Sequence, residues 1–203
     1  MSDGKLYIDG SWTDGSGDGF ASFDPATEAC VWRGNEASTA QVDAAVEAAR
    51  AAFPDWADRP RPERIEAMKR YQAALKARTP AFAEAISRET GKALWETTAE
   101  LGSMAGKVDI SIRAYDERTG ERTAETAFGQ ATLRHRPHGV AAVLGPFNFP
   151  GHLPNGHIVP ALLAGDTVVF KPSEETPHAG QQGCWPAWGV SSEGLNTTVS
   201  PAS

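Results

Sequence analysis

From Ser38 onward the chain repeats apolar side chains at a helical interval. Ser38-Thr-Ala-Gln41 has capping-box spacing, and Val42, Ala45, Val46, Ala49 and Phe53 then fall on one stripe. Pro54 is expected to stop that helix, because a proline inside a helix removes a hydrogen bond and crowds the turn before it. Pro62 suits an early helical position, and Ile65, Met68, Tyr71 and Leu75 mark a second stripe. Pro80 is expected to open a third helix, with Phe82, Ala85 and Ile86 apolar and Gly91 as its C-cap. A fourth is expected from about Ala93, carrying Leu101, Met104, Val108 and Ile112. Four amphipathic helices without a repeat spacing make a layer that needs a sheet to cover.

The period changes at both ends of this layer. Lys5 to Asp9 reads as a half-buried strand, with a turn at Gly10 before Ser11-Trp12. Gly15, Gly17 and Gly19 alternate as in a nucleotide loop, but no helix opens after them, so a flexible loop is expected. Beyond Thr119, Ala131 to His135 reads as a strand and Pro137-His138-Gly139 as a turn. Val140 to Leu144 and Thr167 to Phe170 read as buried strands on either side of a helix from about Leu153 to Ala164. Strand, helix, strand in about 30 residues is the parallel β-α-β unit, which places the chain in the α/β class.

Composition removes several functions. The 203 residues carry 26 acidic and 19 basic side chains, a net charge of −7, which opposes nucleic-acid binding and a polybasic membrane contact. At 40% hydrophobic and 22% charged, the chain can bury a core. Cys30 and Cys184 are too few for a disulfide framework or an all-cysteine zinc site. Without an apolar leader or a membrane-length apolar run, the expected location is the cytoplasm. His135 with His138, and His152 with His157, lack acidic or cysteine partners at metal-ligand spacing, so no metal is expected. Asp14, Asp18 and Asp24 read as a solvated face, and Cys30 as a small buried core residue.

Ligands of open parallel sheets bind beyond the carboxyl ends of the strands. Gly145-Pro-Phe-Asn-Phe-Pro150 follows the first strand, and Lys171-Pro-Ser-Glu174 the second. A lysine donor and a glutamate acceptor three residues apart suit a ribose diol, and the carboxylate would repel a 2′-phosphate, favouring NAD over NADP. Pro172 and Glu174 equally suit the first turn of a helix, complementing its dipole. The residues alone leave both readings open.

Leu133 to Val140, Leu144 to Pro150 and Pro160 to Glu174 resemble the N-terminal half of the NAD(P)-dependent aldehyde dehydrogenase superfamily. The Pro-x-Asn-Phe-Pro and Lys-Pro-Ser-Glu pair, in this order and spacing, is its specific signal. Gly151-His-Leu-Pro-Asn-Gly-His-Ile158 is similar to the succinylglutamate-semialdehyde dehydrogenases of bacterial arginine catabolism, and Ala51 to Trp56 and Arg88-Glu-Thr-Gly-Lys92 fit the same superfamily. The resemblance covers about residues 4 to 180.

It implies an incomplete aldehyde-dehydrogenase-like fold. Residues 1–120 would hold the N-terminal strands and helical layer, and 121–138 part of a β-hairpin through which such enzymes form oligomers. Residues 139–180 would supply the β-α-β part of the NAD-binding domain. Asn148 would be the neutral donor that stabilises the oxyanion formed when a thiolate attacks an aldehyde; read without the resemblance, it is a turn asparagine. Pro146 and Phe147 would lie along the nicotinamide side of NAD, and Lys171 and Glu174 would hold the adenosine ribose, with Ser173 between them. The family reaction also needs a cysteine nucleophile, a glutamate base and a glycine-rich turn under the pyrophosphate, which come after Lys-Pro-Ser-Glu. Neither Cys30 nor Cys184 fits the nucleophile, so these 203 residues are expected to be inactive alone. Pairing with a full-length relative, or completion by a separate C-terminal half, are the alternatives. Residues 181–203 depart from the family pattern and are expected to lack a helix and to be disordered, as an out-of-frame or newly acquired tail. The edge and faces left open by an incomplete sheet are expected to limit solubility.

Overall fold

Pro54 does not end a helix. The computed structural model describes the backbone of residues 4–188 and the side chains of residues 4–182. In it, α1 spans Thr39–Asp58 with Pro54 inside it, on the exposed side. Trp56 lies just beyond, fully buried, and its indole N–H donates to the Leu162 carbonyl at 3.1 Å. The second departure is larger, because α2 runs unbroken over Arg61–Thr90 through Pro80. A mid-helix proline costs about 3 kcal/mol. Burying Phe82 and Ile86, each worth about 1.5–3 kcal/mol, outweighs that only if their face stays in line with Met68 and Leu75. One long helix wins over two short ones. It ends where expected, at Gly91 with φ 72°, whose N–H donates to the Ser87 carbonyl at 2.9 Å. With α3 over Leu94–Arg118, the expected four helices are three.

Two antiparallel ribbons precede this layer. β1 (Lys5–Ile8) pairs with β2 (Ser11–Asp14), and β3 (Gly19–Phe23) with β4 (Cys30–Asn35). The glycine-rich segment between them is a bonded turn rather than a flexible loop. Gly17 N–H donates to the Glu36 carbonyl at 2.8 Å, and the Ser16 N–H and hydroxyl both donate to Gln41 Oε1 at 2.9 Å. The same oxygen accepts the Ser38 N–H at 3.1 Å, so the cap of α1 also secures this turn. Cys30 is exposed, against the core position expected of it. A register shift between Ser22 and Phe23 sets Cys30 opposite exposed Phe23, while Trp32 pairs with buried Ser22 and takes the inward place.

After α3 the chain forms a hairpin of β5 (Arg122–Thr126) and β6 (Gly129–Leu133), in which every residue is exposed. The second strand starts earlier than the pattern suggested, because Gly129 at φ 114° closes the turn. β7 (Val140–Leu144), α4 (His152–Ala164) and β8 (Thr167–Lys171) form the expected parallel unit, in register from Val140 opposite Thr167 to Leu144 opposite Lys171. Its turn is fixed by Asp166, which accepts the Gly139 N–H at 2.8 Å. α5 (Pro177–Trp188) carries the helical backbone beyond Gly180, where no helix was expected. The anchoring of its first turn, described below, supplies what the missing apolar stripe does not. Residues 189–203, and the side chain of Cys184, lie outside the described residues.

The core lies where α2, α3 and α4 meet one face of β7 and β8, around Leu75, Ile86, Leu101, Val108, Val143, Val159, Leu162 and Phe170. Several of its polar groups are paired across elements. Tyr71 donates to Asn155 Oδ1 at 2.8 Å, Asn155 donates to the Met104 carbonyl at 3.1 Å, and Arg64 Nε donates to the Leu163 carbonyl at 3.2 Å. No described helix is long and apolar enough to cross a membrane.

Candidate functional site

The apolar runs of β7 and β8 make them neighbours, and one further bond aligns their exits. Gly145 N–H donates to the Lys171 carbonyl at 2.8 Å, so the ladder continues one step past Leu144. Residues 146–150 and 172–174 therefore leave the sheet side by side at its carboxyl end.

The second loop presents its two charged groups together. Lys171 Nζ lies 2.9 Å from Glu174 Oε2, with the lysine half-buried and the glutamate exposed. Glu174's own backbone N–H and the Lys171 ammonium hold its carboxyl below the usual carboxylate range. It is therefore ionised and an acceptor at neutral pH. Ser173 is buried; its hydroxyl accepts the Glu175 N–H at 3.3 Å and its carbonyl the Thr176 N–H at 3.2 Å. Ser173 thus shapes the turn. The helix-start reading of this loop does not apply, because α5 begins only at Pro177. Its first turn is held by Glu89, which accepts the His178 N–H at 2.9 Å, the Ala179 N–H at 2.7 Å and the Ser22 hydroxyl at 2.6 Å.

In the first loop Pro146 is half-buried, and Phe147 and Asn148 are exposed. The Asn148 side-chain amide makes no hydrogen bond among the described residues, whereas its backbone carbonyl accepts the Lys92 ammonium. Buried Pro150 and Gly151 lead into α4. An apolar groove of about 450 Å³ lies between Val42 and Val46 of α1 and the outer face of the sheet, at Ala142, Leu144 and Val169, and ends at Lys171.

These groups suit a dinucleotide at a sheet's carboxyl end. Lys171 donates and Glu174 accepts, while Gly145 lets the strand end pack tightly inside the fold, since a Cβ there would lie 3.0 Å from the Phe170 ring. Asn148 adds an uncommitted neutral donor. His135, His138 and His157 are exposed, and His152 is half-buried at the start of α4. Among the described residues no group of three or more histidines, cysteines or acidic side chains is arranged to hold a metal. The reading of the sequence passed over Glu89, Lys92 and Glu100. Its only trace of the first two was the family-like Arg88-Glu-Thr-Gly-Lys92 string.

Residues 12–184 match the sequence model of the aldehyde dehydrogenase family. The chain belongs to that family. N-succinylglutamate 5-semialdehyde dehydrogenases of a Caulobacter species and of Caulobacter vibrioides are 72% and 69% identical to it over 178 residues. Those residues are 88% of this chain but 37% of each relative, so the chain spans little more than a third of their length. The crystal structure of an NAD-dependent benzaldehyde dehydrogenase from Corynebacterium glutamicum superposes with a TM-score of 0.89 at 26% identity, covering 98% of this chain and 44% of that one. The fold is thus aldehyde-dehydrogenase-like over the described residues, in a family that uses NAD(P). The family match continues to residue 184, beyond the Gly180 boundary expected from the sequence.

Proposed function

We propose that this chain supplies the oxyanion donor and part of the NAD-binding wall of an N-succinylglutamate 5-semialdehyde dehydrogenase. The observation that carries this reading is the Gly145–Lys171 bond, which sets the Asn148 loop beside the Lys171–Glu174 pair at one sheet end. NAD bound here would supply the hydride acceptor for oxidising the adduct that a thiolate forms with the aldehyde. Lys171 and Glu174 hold the adenosine ribose diol, with Glu174 ionised and set against a 2′-phosphate, so NAD is preferred to NADP. Pro146 and Phe147 flank the nicotinamide side. Asn148 aims its amide N–H at the oxygen that becomes anionic when a thiolate adds to the aldehyde carbon.

The 203 residues alone do not turn over aldehyde. Cys30 is on the N-terminal ribbon, its thiol donating to the Trp32 carbonyl of its own strand at 3.4 Å, and no element places it by Asn148. Two measurements on the purified chain test this reading. Saturation-transfer NMR with NAD is expected to show the adenosine ribose protons most strongly, with the signal reduced in Glu174→Gln and weaker for NADP. Absorbance at 340 nm with N-succinylglutamate semialdehyde and NAD is expected to stay at the no-enzyme level. An NADH signal above that control, or ribose protons no stronger than the rest, would overturn it.

A second reading is a non-catalytic assembly module that pairs with a full-length relative. The β5–β6 ribbon favours it, because it stands wholly exposed with Phe128 at its tip. Co-expression with a tagged full-length relative tests this; a hairpin-deleted chain that co-purifies equally well would rule out that contact.

A further inference from the structure

The Asn148 loop is gripped from outside the sheet. Lys92, between α2 and α3, donates to the Asn148 carbonyl and stands 3.7 Å from the centre of the Phe149 ring. The same ammonium pairs with Glu100 Oε2 at 3.4 Å and Glu96 Oε1 at 3.8 Å. Glu100 is buried in α3, and its other oxygen accepts the Gly151 and His152 N–H groups at 3.0 Å each. One ion pair therefore holds the loop at 148–149 and again at 151–152. The loop lies so close to α3 that a Cβ on Gly151 would be 2.6 Å from Met104 Sδ.

We infer that Lys92 is the positioning residue for the oxyanion donor, with Glu100 as its anchor; this rests on the role proposed above for Asn148. The direction of the Asn148 amide follows its Cα–Cβ bond, and that bond is set by the peptide planes on either side. Lys92 fixes the plane that follows Asn148, and the ammonium over Phe149 keeps the next ring from swinging. Glu100 and Glu96 more than offset the lysine charge, so Lys92 acts on the donor by geometry rather than by its field. Preorganised donors are effective because they need no rearrangement as charge develops, and such sites depend on the residues that support them.

Hydrogen exchange on the 203-residue chain is the first test. Lys92→Met is expected to speed exchange of the Gly151, His152 and Leu153 amides, which are bonded to Glu100 and the Phe149 carbonyl, by about tenfold or more, leaving Leu75 and Ile86 of α2 unchanged, and Lys92→Arg to restore most of the protection. Glu100→Gln keeps an acceptor for Gly151 and His152 but removes the charge partner of Lys92, so its effect is expected mainly at Leu153, whose N–H donates to the Phe149 carbonyl. The second test grafts residues 1–184 onto the remaining part of the 72%-identical Caulobacter relative. There Lys92→Met is expected to lower kcat by roughly tenfold with KM for aldehyde and NAD little changed, against about a hundredfold for Asn148→Ala. Unchanged loop exchange, a rise spread equally over α2, or a KM effect at constant kcat would overturn the role of Lys92. A graft in which Asn148→Ala leaves kcat unchanged would overturn the oxyanion reading itself, and the positioning role with it.

Discussion

Glu89 enters the core between α2, β3 and α5, and burial pushes its carboxyl up to about 7 despite three hydrogen bonds that favour the anion. An unfolded glutamate titrates near 4.5. The folded state therefore holds its proton to higher pH, and stability from this group is full below about 4.5 and is lost as pH rises through about 7. The loss amounts to up to about 3 kcal/mol, since each tenfold change in proton affinity is worth about 1.4 kcal/mol. Urea denaturation at pH 5 and pH 8 is expected to show it, and Glu89→Gln to flatten the difference between the two midpoints. The placement of Asn148, Lys171 and Glu174 in loops at the strand ends was legible, because buried strands and the turns that follow them are local patterns. Glu89, Lys92 and Glu100 were not, because a charged residue near a helical stripe reads as solvent-facing. Only the packing of α2 and α3 against the sheet and α5 turns these side chains inward.

At the scale of elements, periodicity located the helices but prolines misplaced their ends. Local propensity counts the lost hydrogen bond at Pro54 and Pro80, and it cannot count the burial of Trp56, Phe82 and Ile86 on the far side of each. Gly91 was read correctly because its demand is local: φ 72° suits glycine, and a Cβ there would meet the Pro25 ring at 2.9 Å. Gly91→Ala is expected to cost about 1–3 kcal/mol, seen as a lowered Tm in thermal denaturation. The β5–β6 ribbon shows the opposite balance. No residue of either strand is buried, so replacing 122–133 by a short turn is expected to leave the unfolding free energy from urea denaturation within about 0.5 kcal/mol. Self-association in sedimentation velocity should fall if the ribbon is an assembly contact.

Across the whole molecule, the parallel sheet pairs core burial on one face with open apolar surface on the other among the described residues. Among the described residues β7 and β8 pair only with each other, and Leu144 is 77% exposed beside the apolar groove. An open apolar strand edge recruits other chains. Leu144→Lys is therefore expected to reduce concentration-dependent light scattering while far-UV circular dichroism stays unchanged. A variant that scatters as before would place the sticky surface elsewhere. The family relation gives the physical setting: this segment covers 44% of a solved relative's chain, and the faces left open here have the chemistry of an interior.

The sequence by itself determined the helical layer, the β-α-β unit, the family and the loops that carry Asn148, Lys171 and Glu174. These depend on periodicity, turn chemistry and short motifs, all of which act over a few residues. The tertiary structure decided that Pro54 and Pro80 are bridged, that Cys30 faces out and that α5 continues past Gly180. It also decided that the buried glutamates hold α5 and the Asn148 loop. Each of these outcomes turns on contacts between residues far apart in the chain. Their free energy depends on what lies across the core, which no local pattern records.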